Sequence, residues 1–206
     1  MEESSDNDIK MILLGDCGVG KTNIISRYLK NEFKEKEMSS TGANYAMKKI
    51  KINGINFNLN LWDTAGQEKF RSVTKMFVQE SQIILLCYSI IDHKSFDNLS
   101  FWLNLVKDII GNYFVLGVAG NKSDLYEKEE VQDSEGENFA NEHNAIFKLV
   151  SAKDNKEGID LLFNELIKKY IDLKTGNADD NSDEKDNKQQ MKINEIIDEK
   201  EKKKCC

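Results

Sequence analysis

The residues best spaced for chemistry are Gly15-Asp16-Cys17-Gly18-Val19-Gly20-Lys21-Thr22, a fit to G-x-x-x-x-G-K-[ST], in which backbone N–H groups surround phosphate oxygens. Side chains at the glycines would keep those N–H groups from closing on an anion, and the start of a following helix adds positive potential. Lys21 would neutralise the β- and γ-phosphates, and the Thr22 hydroxyl would ligate Mg2+. The apolar run Met11-Ile12-Leu13-Leu14 before the loop and the helix-like stretch 23–30 after it supply the strand, turn and helix that the pattern needs. By itself the motif points to a nucleoside triphosphate and leaves the base open.

Three further polar clusters each follow an apolar run. Trp62-Asp63-Thr64-Ala65-Gly66-Gln67-Glu68 comes after 55–61, Gly120-Asn121-Lys122-Ser123-Asp124 after 113–119, and Ser151-Ala152-Lys153 after 145–150. An Asp at a strand end can hold a Mg2+-bound water, because a small hard cation keeps several waters and takes few protein oxygens. Gly66 would let a backbone N–H approach a γ-phosphate. The elements that must position these clusters are predicted strands at 9–14, 44–52, 55–61, 82–89, 113–119 and 145–150. They alternate with predicted helices at 21–30, 70–79, 95–110, 134–142 and 156–173. Such alternation implies an α/β fold, a six-stranded, mainly parallel sheet with helices on both faces. Asn53-Gly54 is a hairpin signal that makes one edge strand antiparallel. In such a sheet ligands bind at the carboxyl ends of strands, which is where every motif falls.

The composition narrows the class. With 206 residues, 39% hydrophobic and 32% charged, the chain suits one domain with its own core plus a polar tail. A net charge of −7 lacks the basic excess of a phosphate-tracking surface, so nucleic-acid binding is not the expected role. Cys17, Cys87, Cys205 and Cys206 have neither framework nor metal-cluster spacing, which implies a reducing, cytosolic setting. The acidic start predicts no secretory signal, and no apolar run approaches the ~20 residues of a membrane helix. Residues 1–7 are expected to be flexible. From 174 onward lysines and acids dominate and apolar positions are few, so 174–206 is expected to stay disordered.

In these motifs the chain resembles the Ras-like small GTPases over roughly residues 8–173, and the resemblance implies the P-loop NTPase (small G-protein) fold. N-K-x-D and S-A-K form the guanine pocket in that family. The chemistry agrees, since a carboxylate at Asp124 accepts guanine N1–H and N2–H2 together, donors that adenine does not match. By resemblance Asn121 ties the base loop to its neighbours, Lys122 lays its stem along the ring, and the Ala152 N–H meets the guanine carbonyl. The nucleotide contacts carried over are Asp16, Cys17, Gly18, Val19, Gly20, Lys21, Thr22 and Asn23, then Phe33 against the base, Ser40 and Gly66. Leu125, Ser151 and Lys153 complete the set with Asn121, Lys122, Asp124 and Ala152. Mg2+ would be held by Thr22, Ser40 and Asp63. The family spacing, 18 residues beyond Thr22, lands on Ser40, and a one-residue slip would use Thr41. Gln67 would orient the attacking water, with Lys21 as its catalytic partner. Arg27 and Arg71 are expected on helices away from the γ-phosphate, so turnover should be slow and an activating protein should supply an arginine.

The terminal Cys205-Cys206 matches the double-geranylgeranyl signal of the Rab branch, and the chain lacks the C-a-a-X ending of Ras and Rho members. Two lipids anchor stably where one does not. Lys202-Lys203-Lys204 adds attraction to an anionic surface, and 174–204 would span roughly 30 Å as a coil. The resemblance implies a monomeric, membrane-anchored GTP/GDP switch regulating membrane traffic. It would cycle between cytosol and the cytosolic face of a membrane, with an exchange factor, a GTPase-activating protein, a GDP dissociation inhibitor and effectors. Thr41-Gly42-Ala43-Asn44-Tyr45 and Phe77-Val78-Gln79-Glu80-Ser81 depart from the usual Rab patterns at partner-binding surfaces. Other readings are a family member that holds nucleotide with little cycling, a Rho- or Ras-like signalling GTPase, and an ATP-using P-loop kinase.

Overall fold

A computed structural model describes residues 7–35, 44–52, 54–64 and 71–176, with only the backbone of 71–74. Six strands, β1 (Asp8–Leu14), β2 (Asn44–Ile52), β3 (Ile55–Asp63), β4 (Ile83–Ser89), β5 (Val115–Asn121) and β6 (Ile146–Leu149), form one sheet in the order β2-β3-β1-β4-β5-β6. Only the β2–β3 pair is antiparallel, in register from Asn44↔Asp63 to Ile52↔Ile55, with Gly54 at φ 84° beside the turn. The predicted edge hairpin is therefore present.

The helices are α1 (Lys21–Lys30), α2 (Arg71–Val78), α3 (His93–Asp97), α4 (Leu99–Ile110), α5 (Asp133–Glu142) and α6 (Lys156–Thr175). Side-chain alternation along buried strands builds two cores. Ile9, Met11 and Leu13 of β1 and Ile83, Leu85 and Cys87 of β4 face α1 and α6, where Tyr28 stacks on Phe163 with centroids 4.1 Å apart. Ile12, Leu14, Ile84, Leu86 and Tyr88 face the other way, onto Leu99, Trp102, Leu103 and Val106 of α4. Each such buried side chain contributes about 1.5–3 kcal/mol, so both layers hold the sheet firmly beneath its loops.

Three differences from the expected elements have physical causes. The single helix predicted at 95–110 is two. The Asp92 carboxylate accepts from the Ser95 N–H and starts α3 early, and Asn98, at ψ −6°, separates α3 from α4. β3 runs on to Asp63 and β5 to Asn121, because the parallel ladders continue past the last apolar residue, pairing Leu13↔Asp63 and Ser89↔Asn121. A 3-10 turn over Ser123–Lys128 follows β5 where no element was predicted; Lys122 enters it at φ 67°, a left-handed start that apolar periodicity does not signal.

Candidate functional site

The loop between β1 and α1 is closed by the protein's own backbone. A Cβ on Gly15, at φ 143°, would lie 2.0 Å from the Cys87 carbonyl oxygen of β4, and one on Gly20, at φ 100°, would lie 2.3 Å from Asn121 Nδ2. These glycines are thus demanded by neighbouring chain as well as by any anion. Lys21 is only 5% exposed, and its Nζ donates to the carbonyls of Gly15 (2.8 Å) and Asp16 (2.9 Å). Burial pulls its ammonium pKa down, while the charges of Asp63 and Asp16 nearby work against that fall. A buried cation bonded, among the described residues, to carbonyls alone is poised for an anionic ligand.

Thr22 and Asp63 come from different elements and meet. Thr22 Oγ1 donates to Asp63 Oδ2 at 2.6 Å, and the Thr64 hydroxyl donates to the Leu13 carbonyl at 2.7 Å, fastening the end of β3 to β1. Among the described residues no group of three or more His, Cys, Asp or Glu side chains is arranged for a metal. An oxygen pair of this kind fits Mg2+, which takes one or two protein oxygens and leaves the rest of its shell to phosphate and water. When bound, the ion supplies charge neutralisation at the phosphates.

The base side is organised by Asn121. Its Nδ2 donates to the Val19 carbonyl at 2.7 Å, and its Oδ1 accepts the Ala152 N–H at 3.1 Å, so one side chain joins the phosphate loop to the loop after β6. Ser151 Oγ donates to Asp124 Oδ1 at 2.6 Å and accepts from the Lys153 N–H at 3.2 Å. That bond orients the Asp124 carboxylate. Lys122 is half-buried, and burial lowers its pKa. Leu125 caps the turn, its N–H donating to the Lys122 carbonyl at 2.8 Å.

The remaining expected residues fall as follows. Cys17 is exposed and a Cβ on Gly18 would meet open space, so that arc of the loop faces outward. Val19 is buried in the core. Asn23 exchanges bonds with the Lys34 backbone at 3.0 and 3.1 Å, holding the segment that carries Phe33, which packs half-buried against the larger core. Asp16 turns its carboxylate to α4, accepting from Trp102 Nε1 at 2.8 Å and Asn98 Nδ2 at 2.6 Å. Ser40, Thr41, Gly66, Gln67, Cys205 and Cys206 lie outside the described residues.

Arg27 is a residue the motif reading left without a role. On α1, as expected, it donates from Nε to the Ala152 carbonyl at 2.7 Å and from Nη2 to the Lys153 carbonyl at 2.6 Å. Composition held the signal: arginine occurs only at 27 and 71 among 29 basic residues, and its planar fork reaches two carbonyls from two separate nitrogens, which a lysine lacks. A second feature is an aromatic row across β2, β3 and α2. Tyr45 lies 5.1 Å from Trp62, and Trp62 lies 5.1 Å from Phe77, with Tyr45 and neighbouring Met76 exposed.

Residues 10–172 match the Ras family. The chain belongs to the Ras family. It is 40% identical to the Ras-related protein Rab-11B of Dictyostelium discoideum over 158 residues, which cover 77% of this chain and 71% of that one. Against the Ras-related protein Rab-21 of Homo sapiens it is 37% identical over 163 residues, 79% of this chain and 72% of the relative. With the Ras-related protein Rab-13 of Rattus norvegicus the identity is 33% over 195 residues, 95% of each. This is therefore a Rab-branch small GTPase of membrane traffic that binds GTP and GDP with Mg2+ and hydrolyses GTP. Rab proteins work with regulators and effectors and cycle in association with membranes. Among the described residues no helix is long and apolar enough to cross a bilayer.

Proposed function

We propose that this Rab protein reads guanine with Asp124 and the Ala152 loop and holds the phosphates in the 15–22 loop. Thr22, Asp63 and Ser40 would take Mg2+, while Gly66 and Gln67 would respond to the γ-phosphate. The observation that carries this reading is the Asn121 bridge, because it makes base loop and phosphate loop one rigid cradle. Phe33, Lys122, Leu125, Ser151 and Lys153 shape the base end. Asp16, Cys17, Gly18, Val19, Gly20 and Asn23 shape the phosphate end. Lys21 steadies charge on the transferring phosphoryl group and Gln67 orients the attacking water, an incomplete set that leaves intrinsic turnover slow.

The membrane half of the function rests on Cys205 and Cys206. Geranylgeranylation of both gives the two hydrophobic signals that stable anchoring needs, with 174–206 as the tether beyond a G domain of 8–173. Exchange factor, activating protein, GDP dissociation inhibitor and effectors are the partners of such a cycle. The Tyr45–Trp62–Phe77 row suits a protein effector, because β3 leads directly into the Asp63 loop.

GTP competing for the loaded site at least about a thousandfold better than ATP is expected, and equal competition would overturn the guanine assignment. Single-turnover assays should find Gln67→Leu slower in hydrolysis while still binding GTP. Imaging should move a Cys205/Cys206 deletion to the cytosol; retained membrane signal would remove the lipid assignment.

A further inference from the structure

Asp16 sits in a loop built to attract anions, yet its own charge is turned out of that loop. Both carboxylate oxygens are taken by donors on one stretch of chain, Trp102 Nε1 at 2.8 Å and Asn98 Nδ2 at 2.6 Å, while its carbonyl accepts Lys21 Nζ at 2.9 Å. Asp16 is thus fastened on three sides, twice to the start of α4 and once to the lysine intended for phosphate. Charge-assisted bonds of this length are the strong class, and they also turn a negative charge away from the place of a triphosphate. Trp102 is buried in the core under α4, and Asn98 is the junction between α3 and α4, so the anchor is rigid. Neither residue belongs to a nucleotide motif.

We propose that Asn98 and Trp102 are positioning residues for nucleotide retention: through Asp16 they hold the phosphate loop, which makes the first turn of α4 a lever on nucleotide release. This rests on 15–22 being the phosphate site. If the anchor loosens, Asp16 swings free, the carbonyls that hold Lys21 shift, and the bound diphosphate loses its preorganised cradle.

The test is the dissociation rate of a fluorescent GDP analogue chased by excess GDP, in Mg2+, on the full-length chain. Asn98→Asp sets two carboxylates face to face, and release should quicken by about tenfold or more. Adding Asp16→Asn restores the bond with donor and acceptor exchanged, and release should return to within about threefold of the parent, a coupling that independent sites do not show. Trp102→Phe keeps a smaller aromatic ring, loses the indole N–H donor, and should release several-fold faster. Val106→Ala, on the same helix and core face but away from Asp16, should lower the melting temperature without changing release. The inference is overturned if Asn98→Asp and Trp102→Phe release GDP like the parent, if the double variant is not rescued, or if Val106→Ala matches them. A parent chain that retains no GDP would instead overturn the phosphate-loop reading itself.

Discussion

The loops above β1, β5 and β6 and the β2–β3 hairpin belong to one sheet and obey opposite rules. Every residue of β4 and β5 is buried, and the polar groups at the strand ends turn inward onto one another, Asn121 to Val19 and Ala152, Ser151 to Asp124, Arg27 to the carbonyls of 152 and 153. β2 is an edge strand whose residues alternate between exposed and half-buried, with Lys48, Lys49 and Lys51 along it and Tyr45 and Met47 open to solvent. Edge lysines discourage indiscriminate strand pairing, while exposed aromatics supply contact area for a chosen partner. One end of the molecule is preorganised for a small ligand, and the other presents an exposed aromatic edge that we propose a protein effector covers.

The contrast is most easily broken at the cradle. Asp124→Ala removes a bidentate acceptor whose two bonds, at about 1.5–3 kcal/mol each, imply a loss of about 10²–10⁴-fold in GDP affinity by calorimetry. Gly20→Ala forces a side chain onto φ 100° and into Asn121 Nδ2. A cost of about 1–3 kcal/mol should appear as a lower melting temperature together with faster GDP release. Arg27→Met removes two charged hydrogen bonds to the base loop, so GDP release should quicken by about tenfold or more in stopped-flow. On the hairpin, Tyr45→Ala should leave GDP affinity unchanged and stability within about 0.5–1 kcal/mol, since the tyrosine is exposed and its hydroxyl donates to Asn60 on the neighbouring strand. A large loss of nucleotide affinity there would erase the distinction between the two regions.

The smallest effect concerns a surface clip on the rigid side. His93 touches Asp97 and Glu135 at 3.3 Å each, and the hydrogen bond with Asp97 raises its pKa above the usual 6.5, with desolvation opposing and the hydrogen bond with Glu135 adding to the rise. A raised folded-state pKa stabilises fully below the unfolded value, and the contribution is lost as pH rises through the folded one. The melting-temperature gap between the parent and His93→Gln should therefore be wider at pH 6 than at pH 8.5.

Much of this arrangement was legible in one dimension. Apolar runs separated by helical segments are sufficient to call six strands, because burial on both faces leaves a continuous hydrophobic signature, as in Ile83 to Cys87. Motif residues were legible because phosphate and guanine chemistry restrict residue type at short spacing. Hidden from that reading were the partners set by long-range geometry: Arg27 reaching 125 residues along the chain to Ala152, and Asp16 reaching 82 to Asn98 and 86 to Trp102. Neither spacing carries a local period.

The amino-acid sequence alone determined which groups are candidates to face the ligand, since Lys21, Thr22, Asp63 and Asp124 carry their own functional groups at or just after recognisable strands. Only the tertiary structure decided what holds them there. The Gly15 contact with Cys87 and the Asn121 bond to Val19 exist because β1, β4 and β5 lie side by side, and adjacency in a sheet is fixed by packing of both faces rather than by neighbours in the chain.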